Sequence, residues 1–180
     1  MRYPNWAMKS TDTLHNNYPN LKHPLLFNIV LIEPEIPQNT GNIGRTCVGT
    51  HSELHLVGKM GFEITDKNLK RAGLDYWQHL KWTHHQEMQD WEKTLKDPKR
   101  VFYFTTKAKK SYFDFDYKLG DSFVFGKETK GLSAELLQRN EDRCVTIPQF
   151  GPVRSLNVAT AVSIALYEAI RQNKDKISLL

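Results

Sequence analysis

Cysteine is almost absent from this 180-residue chain: only Cys47 and Cys144 occur, and they form no Cys-x-x-Cys pair. That excludes a disulfide framework and the common zinc signatures, and it points to a reducing, cytoplasmic setting. Long apolar runs are lacking as well. No segment reaches the roughly 18 apolar residues of a membrane span, and residues 1–24 have no hydrophobic centre of the kind a secretory signal carries. Internal repeats and low-complexity tracts are missing. So are several catalytic signatures: the histidines are scattered with no Gly-x-Ser-x-Gly elbow, which argues against Ser-His-Asp chemistry. His84-His85 lacks the i, i+4 spacing of a helical zinc pair and reads as surface, so no metal site is expected.

With 39% hydrophobic residues the chain carries enough apolar surface for one domain. The net charge is only +5, but it is unevenly placed: residues 59–110 hold 12 Lys and Arg against 7 Asp and Glu, while the flanking segments are balanced. A local cationic surface suits a polyanion such as RNA, because neutralising phosphates drives affinity without regard to sequence. An ordinary solvated surface is the alternative.

Residues 1–24, with Pro4, Pro19 and Pro24 and little periodicity, read as an irregular N-terminal extension; residues 25–180 read as a single domain. From Phe27 the pattern alternates between β-type and helical segments. Apolar runs at 27–32, 54–57, 101–105, 122–125 and 144–147 suit strands buried on both faces. Helices are expected at 43–50, 66–71, 87–96, 134–138 and 156–172, the last with Ser155 as a plausible N-cap. The fold class is therefore α/β, a parallel sheet with helices on both faces.

Two polar, Gly- or Pro-punctuated segments follow apolar runs, where α/β proteins place ligand sites: Pro34-Glu35-Ile36-Pro37-Gln38-Asn39-Thr40-Gly41-Asn42-Ile43-Gly44-Arg45 and Gly126-Lys127-Glu128-Thr129-Lys130-Gly131-Leu132. The second has the frame of a phosphate loop but continues Leu132-Ser133, without the required lysine, which disfavours triphosphate hydrolysis. The first lacks the three glycines of a dinucleotide fingerprint, which disfavours a nicotinamide oxidoreductase. What remains is a glycine loop suited to an adenosine-like ligand.

Together with Ile147-Pro148 and Arg154-Ser155-Leu156-Asn157, these segments resemble the SPOUT-class RNA ribose 2′-O-methyltransferases over residues 27–172. The resemblance is closest to the small branch that methylates nucleotide 34, a cytidine or modified uridine, of tRNA. It implies a deep C-terminal trefoil knot, S-adenosylmethionine as donor with S-adenosylhomocysteine as product, tRNA rather than DNA as partner, and a homodimer that builds the RNA site across two chains. It places Phe104, Gly126, Ile147 and Ser155 on the donor, and Asn39, Arg45, Glu128, Ser155 and Asn157 in catalysis. Arg45 matches the residue proposed to activate the ribose hydroxyl. A guanidinium is a poor proton acceptor, so clamping a phosphate and aligning the hydroxyl is the alternative role. Glu128 either orients Arg45 or accepts the proton. For RNA, Lys67, Lys70 and Arg71 cluster beside Gly73-Leu74-Asp75-Tyr76 and Trp77, and Tyr167 matches a position tied to RNA or the dimer. The segment Phe150-Gly151-Pro152-Val153 departs from relatives, which commonly show polar residues ending in Ser. Methylation of another tRNA or rRNA ribose, and a catalytically silent RNA-binding dimer, are the remaining alternatives.

Overall fold

The computed structural model describes residues 25–62 and 75–177. The expected extension at 1–24, the expected helix at 66–71 and the cluster Lys67, Lys70 and Arg71 lie outside the described residues. Seven strands form one all-parallel sheet in the order β3-β2-β1-β6-β4-β7-β5. They are β1 (Asn28–Ile32), β2 (Glu53–Val57), β3 (Trp82–His85), β4 (Val101–Phe104), β5 (Lys110–Ser111), β6 (Ser122–Phe125) and β7 (Cys144–Thr146). The helices are α1 (Pro37–Gly49), α2 (Met88–Glu92), α3 (Ala134–Arg139) and α4 (Val158–Gln172).

Alternation along the central strands divides the core in two. Ile29, Leu31, Leu54, Leu56, Phe102, Phe104, Phe123 and Phe125 pack against α1 and α4, through Ile43, Cys47, Val162 and Leu166. On the opposite face Val30, Val57, Val101, Tyr103 and Val124 meet Trp91 of α2 and Leu136 of α3. Strands buried on both sides are mostly apolar, which is why these five were legible as short runs.

Strands β3 and β5 were not expected. Both are edge strands, short and polar, and an edge strand with one open flank needs no continuous apolar run. One consequence corrects the sequence-based view of His84-His85: His85 is buried, with its Nε2 3.1 Å from Nδ1 of buried His55 on β2. Half-buried His84 holds the Gly58 carbonyl through Nε2 at 2.9 Å. The helix expected at 87–96 is also shorter, ending at Glu92.

Helix α1 starts six residues earlier than expected. Gly41 and Gly44 each weaken a helix by about 1 kcal/mol relative to Ala, which disguised its first turns as loop. Pro37 is tolerated at the start because the first N–H groups of a helix have no internal partner. Gly44 is closely packed: a Cβ there would lie 3.0 Å from the side chains of Leu80 and Trp77, which would have to give by a few tenths of an ångström.

Burial pushes His55 down to about 4 and also lowers His85, because a charged imidazole loses its hydration in this core. Both folded-state values lie below the ordinary value of about 6.5, so the unfolded chain takes up protons first as pH falls. Stability is retained above pH 6.5 and declines toward pH 4. Urea denaturation between these limits should show that decline, and His55→Gln should flatten it; an unchanged slope would contradict the pairing.

Candidate active site

Four of the parallel strands deliver their C-terminal ends to one cavity of about 530 Å³. The loop after β1 contributes Ile36, β4 leads into Thr105-Thr106-Lys107, β6 into Gly126–Leu132, and β7 into Ile147, Gln149 and the segment Arg154–Val158. Phe104 and Phe125 form an apolar floor, their rings stacked with centroids 4.7 Å apart. This edge is where open α/β sheets bind ligands.

The two motif segments are fastened together residue by residue. Glu128 accepts from the backbone N–H of Glu35 at 2.9 Å and of Ile36 at 3.3 Å, and from Asn39 Nδ2 at 3.0 Å. Glu35 answers by accepting from the N–H and the hydroxyl of Thr129, at 3.1 and 2.8 Å, and the hydroxyl bond is the main reason its carboxyl sits below the ordinary value. Lys127 pairs with Glu33. Three consecutive residues of one loop thus hold the entrance to α1.

The third segment joins through Asn157. Its Nδ2 donates to Asn39 Oδ1 at 2.9 Å, while its Oδ1 accepts from the N–H groups of Ala159 and Thr160. Asn157, not Ser155, is therefore the N-cap of α4, and the helix begins at Val158. Ser155 is exposed and lines the cavity. The side chains Asn157, Asn39 and Glu128 form an unbroken relay across the three segments.

Of the sequence-predicted residues, Asn39, Phe104, Gly126, Glu128, Ile147, Ser155 and Asn157 all line this cavity. Arg45 does not. It lies on the exposed stripe of α1 with Gln38, Asn42 and Gly49, its guanidinium 4.3 Å above the Tyr76 ring. Tyr76 in turn donates its hydroxyl to the Gly41 carbonyl at 2.5 Å. Tyr167 is likewise away from the cavity, exposed on α4 one turn beyond Ser163, which touches Thr46 of α1 at 3.2 Å.

Gly126 lines the cavity and also serves the geometry of its own loop. A Cβ there would fall 2.2 Å from the Gly131 carbonyl carbon, so the glycine lets the loop close on its own backbone. The closure is completed by the Gly131 N–H donating to the Lys127 carbonyl at 2.8 Å, with Gly131 at φ +67°. Sequence reasoning missed Gln149 and the Thr105–Lys107 loop. The latter was findable as the first turn after an apolar strand; Gln149 was not. Its Oε1 is buried without a hydrogen-bond donor among the described residues, on the wall of the cavity.

Comparison with known proteins places this arrangement. A tRNA (cytidine(34)-2′-O)-methyltransferase of Burkholderia cenocepacia is 44% identical over 153 residues, covering 82% of this chain and 96% of its own. A solved structure concerned with 2-OH methylation of C/U34 on tRNA superposes with a TM-score of 0.78 at 41% identity, covering 85% of this chain and 99% of its own. An AdoMet-bound rRNA methyltransferase from Sinorhizobium meliloti has a TM-score of 0.70 at 26% identity, covering 83% and 58%. The model of the SpoU rRNA Methylase family matches residues 26–167. With the sheet, the fastened loops and the cavity all lying within that span, the chain belongs to the SpoU methylase family.

Proposed function

We propose that the protein transfers the methyl group of S-adenosylmethionine to the ribose 2′-hydroxyl of nucleotide 34 of tRNA, acting as a homodimer with its C-terminal segment drawn into a trefoil knot. The observation that carries this is the Asn157–Asn39–Glu128 relay, which joins the three motif segments around a cavity of ligand size. The cavity suits the donor: an apolar floor for a flat base, a closed glycine loop with exposed backbone groups, and the donor-less Gln149 oxygen in its wall.

When bound, S-adenosylmethionine supplies an electrophilic sulfonium methyl. The residues around it then have little covalent work. Phe104, Phe125 and Ile147 exclude water, and Asn39 and Asn157 fix the cavity walls. Glu128 already accepts three N–H bonds, which suits it to clamping. The reaction depends mainly on alignment, which is worth many orders of magnitude when both reactants are held in line.

Arg45 does not line its own cavity and lies on the exposed stripe of α1, one residue before Thr46, which touches α4. In the proposed dimer two copies meet along α1 and α4, near Tyr167, and Arg45 reaches a cleft shared by the chains. There it clamps an RNA phosphate and aligns the hydroxyl.

The test is methyl transfer to unfractionated tRNA and, separately, to rRNA, with mapping of the ribose-methylated linkage. Label at nucleotide 34 is expected; label confined to rRNA would move the assignment to the second substrate suggested by the family description. Arg45→Ala should lower single-turnover rate by about a hundredfold with S-adenosylhomocysteine affinity unchanged. Gly126→Ala should do the reverse in kind, weakening S-adenosylhomocysteine by at least about tenfold because the loop must open. Equal binding by both variants and the wild type would contradict the assignment of Gly126.

A further inference from the structure

Phe150 is 98% exposed, an unusual state for a side chain whose burial a fold can turn to advantage. A single exposed apolar residue would mean little. Here, of the five exposed large hydrophobic side chains among the described residues, three belong to one rim: Ile36 lines the cavity, and Phe150 and Val153 sit between Gln149 and Arg154, which also line it. The ring is therefore at the mouth of the proposed methylation site.

The backbone just beyond it is braced. The Val153 N–H donates to the Gly151 carbonyl at 2.9 Å, a three-residue turn around Pro152, whose ring fixes φ. The surroundings are cationic: Lys107, Lys130 and Arg154 line the same cavity and form no salt bridge among the described residues. An aromatic face beside unpaired cations is the combination that takes single-stranded nucleic acid, the cations holding phosphates and the ring stacking on a base. A purely apolar protein partner would leave those charges buried and unsatisfied.

We infer that Phe150 is a stacking platform for an unpaired nucleobase flanking the methylated ribose, with Arg154 and Lys107 holding the adjacent phosphates. This rests on the RNA methyltransferase reading and adds to it the residue that seats the loop. Tertiary pairing of the anticodon loop is absent, so its bases are free to splay onto a ring, whereas a base inside a helix would first have to unstack.

The experiment uses an anticodon stem-loop RNA carrying 2-aminopurine next to nucleotide 34, titrated with the full-length protein in the presence of S-adenosylhomocysteine. Fluorescence should be quenched on binding to the wild type. Phe150→Ala should lose the quench and bind about tenfold more weakly, with the slope of log affinity against log salt unchanged, because the phosphate contacts remain. Phe150→Trp should retain both, and Phe150→Leu should behave like Phe150→Ala, separating an aromatic face from mere apolarity. Methyl transfer and S-adenosylhomocysteine binding are measured alongside.

Quenching and affinity that survive in Phe150→Ala, or in Phe150→Leu, would overturn the inference. So would loss of S-adenosylhomocysteine binding in Phe150→Ala, which would place the ring over the donor, or its conversion to a smaller species in sedimentation, which would place the ring between two copies. A wild type that quenches through Phe150 but transfers no methyl would uphold the stacking site while removing the catalytic reading. A wild type that binds no RNA would remove both.

Discussion

Everything at this site depends on one line of hydrogen bonds, from Asn157 at the start of α4, through Asn39 inside α1, to Glu128 in the glycine loop. Its two end members also satisfy backbone groups that would otherwise be orphaned. Asn157 caps α4, and Glu128 takes two N–H groups at the entrance to α1. A carboxylate at a helix N-terminus is favoured by the helix dipole, and hydrogen bonds to a charged group are worth about 1.5–3 kcal/mol. The two bonds join residues 89 and 118 apart along the chain, so the relay converts distant sequence into one wall.

That wall is what methyl transfer requires of the fold. Methyl transfer asks chiefly for alignment, and alignment needs walls that do not move. The sheet supplies the base: β1, β4, β6 and β7 are neighbours or near neighbours, and all end at the same edge. The rings of Phe104 and Phe125 close the floor, and Phe104 also meets Phe123 edge-on within the core. Rigidity of the floor and rigidity of the core are thus the same thing.

Legibility followed the physics of burial. The five central strands were visible because burial on both faces removes polar residues, and α4 was visible because its apolar stripe has helical period. Helix α1 hid its first two turns behind Pro37, Gly41 and Gly44, residues of low helix propensity, of which Gly44 lies close to Trp77 and Leu80. Ser155 and Asn157 offer equally good caps on paper; only the contact with Asn39 decides for Asn157. The buried His55–His85 pair was invisible because it joins two strands, one of them a polar edge. The motif residues were legible by resemblance, but the contacts they make were not: Glu128 fastens the entrance to α1, Gly126 lets its loop close, and Arg45 lies exposed over Tyr76, none of which follows from residue type alone.

The most direct measurement is a double-mutant cycle on S-adenosylhomocysteine affinity, combining Asn39→Ala with Glu128→Gln. If the relay preforms the cavity, either change alone should remove most of the effect of both, leaving a coupling of about 1 kcal/mol or more. Strictly additive losses would mean that the two residues act independently, and that the cavity is held by something other than the line joining its three segments.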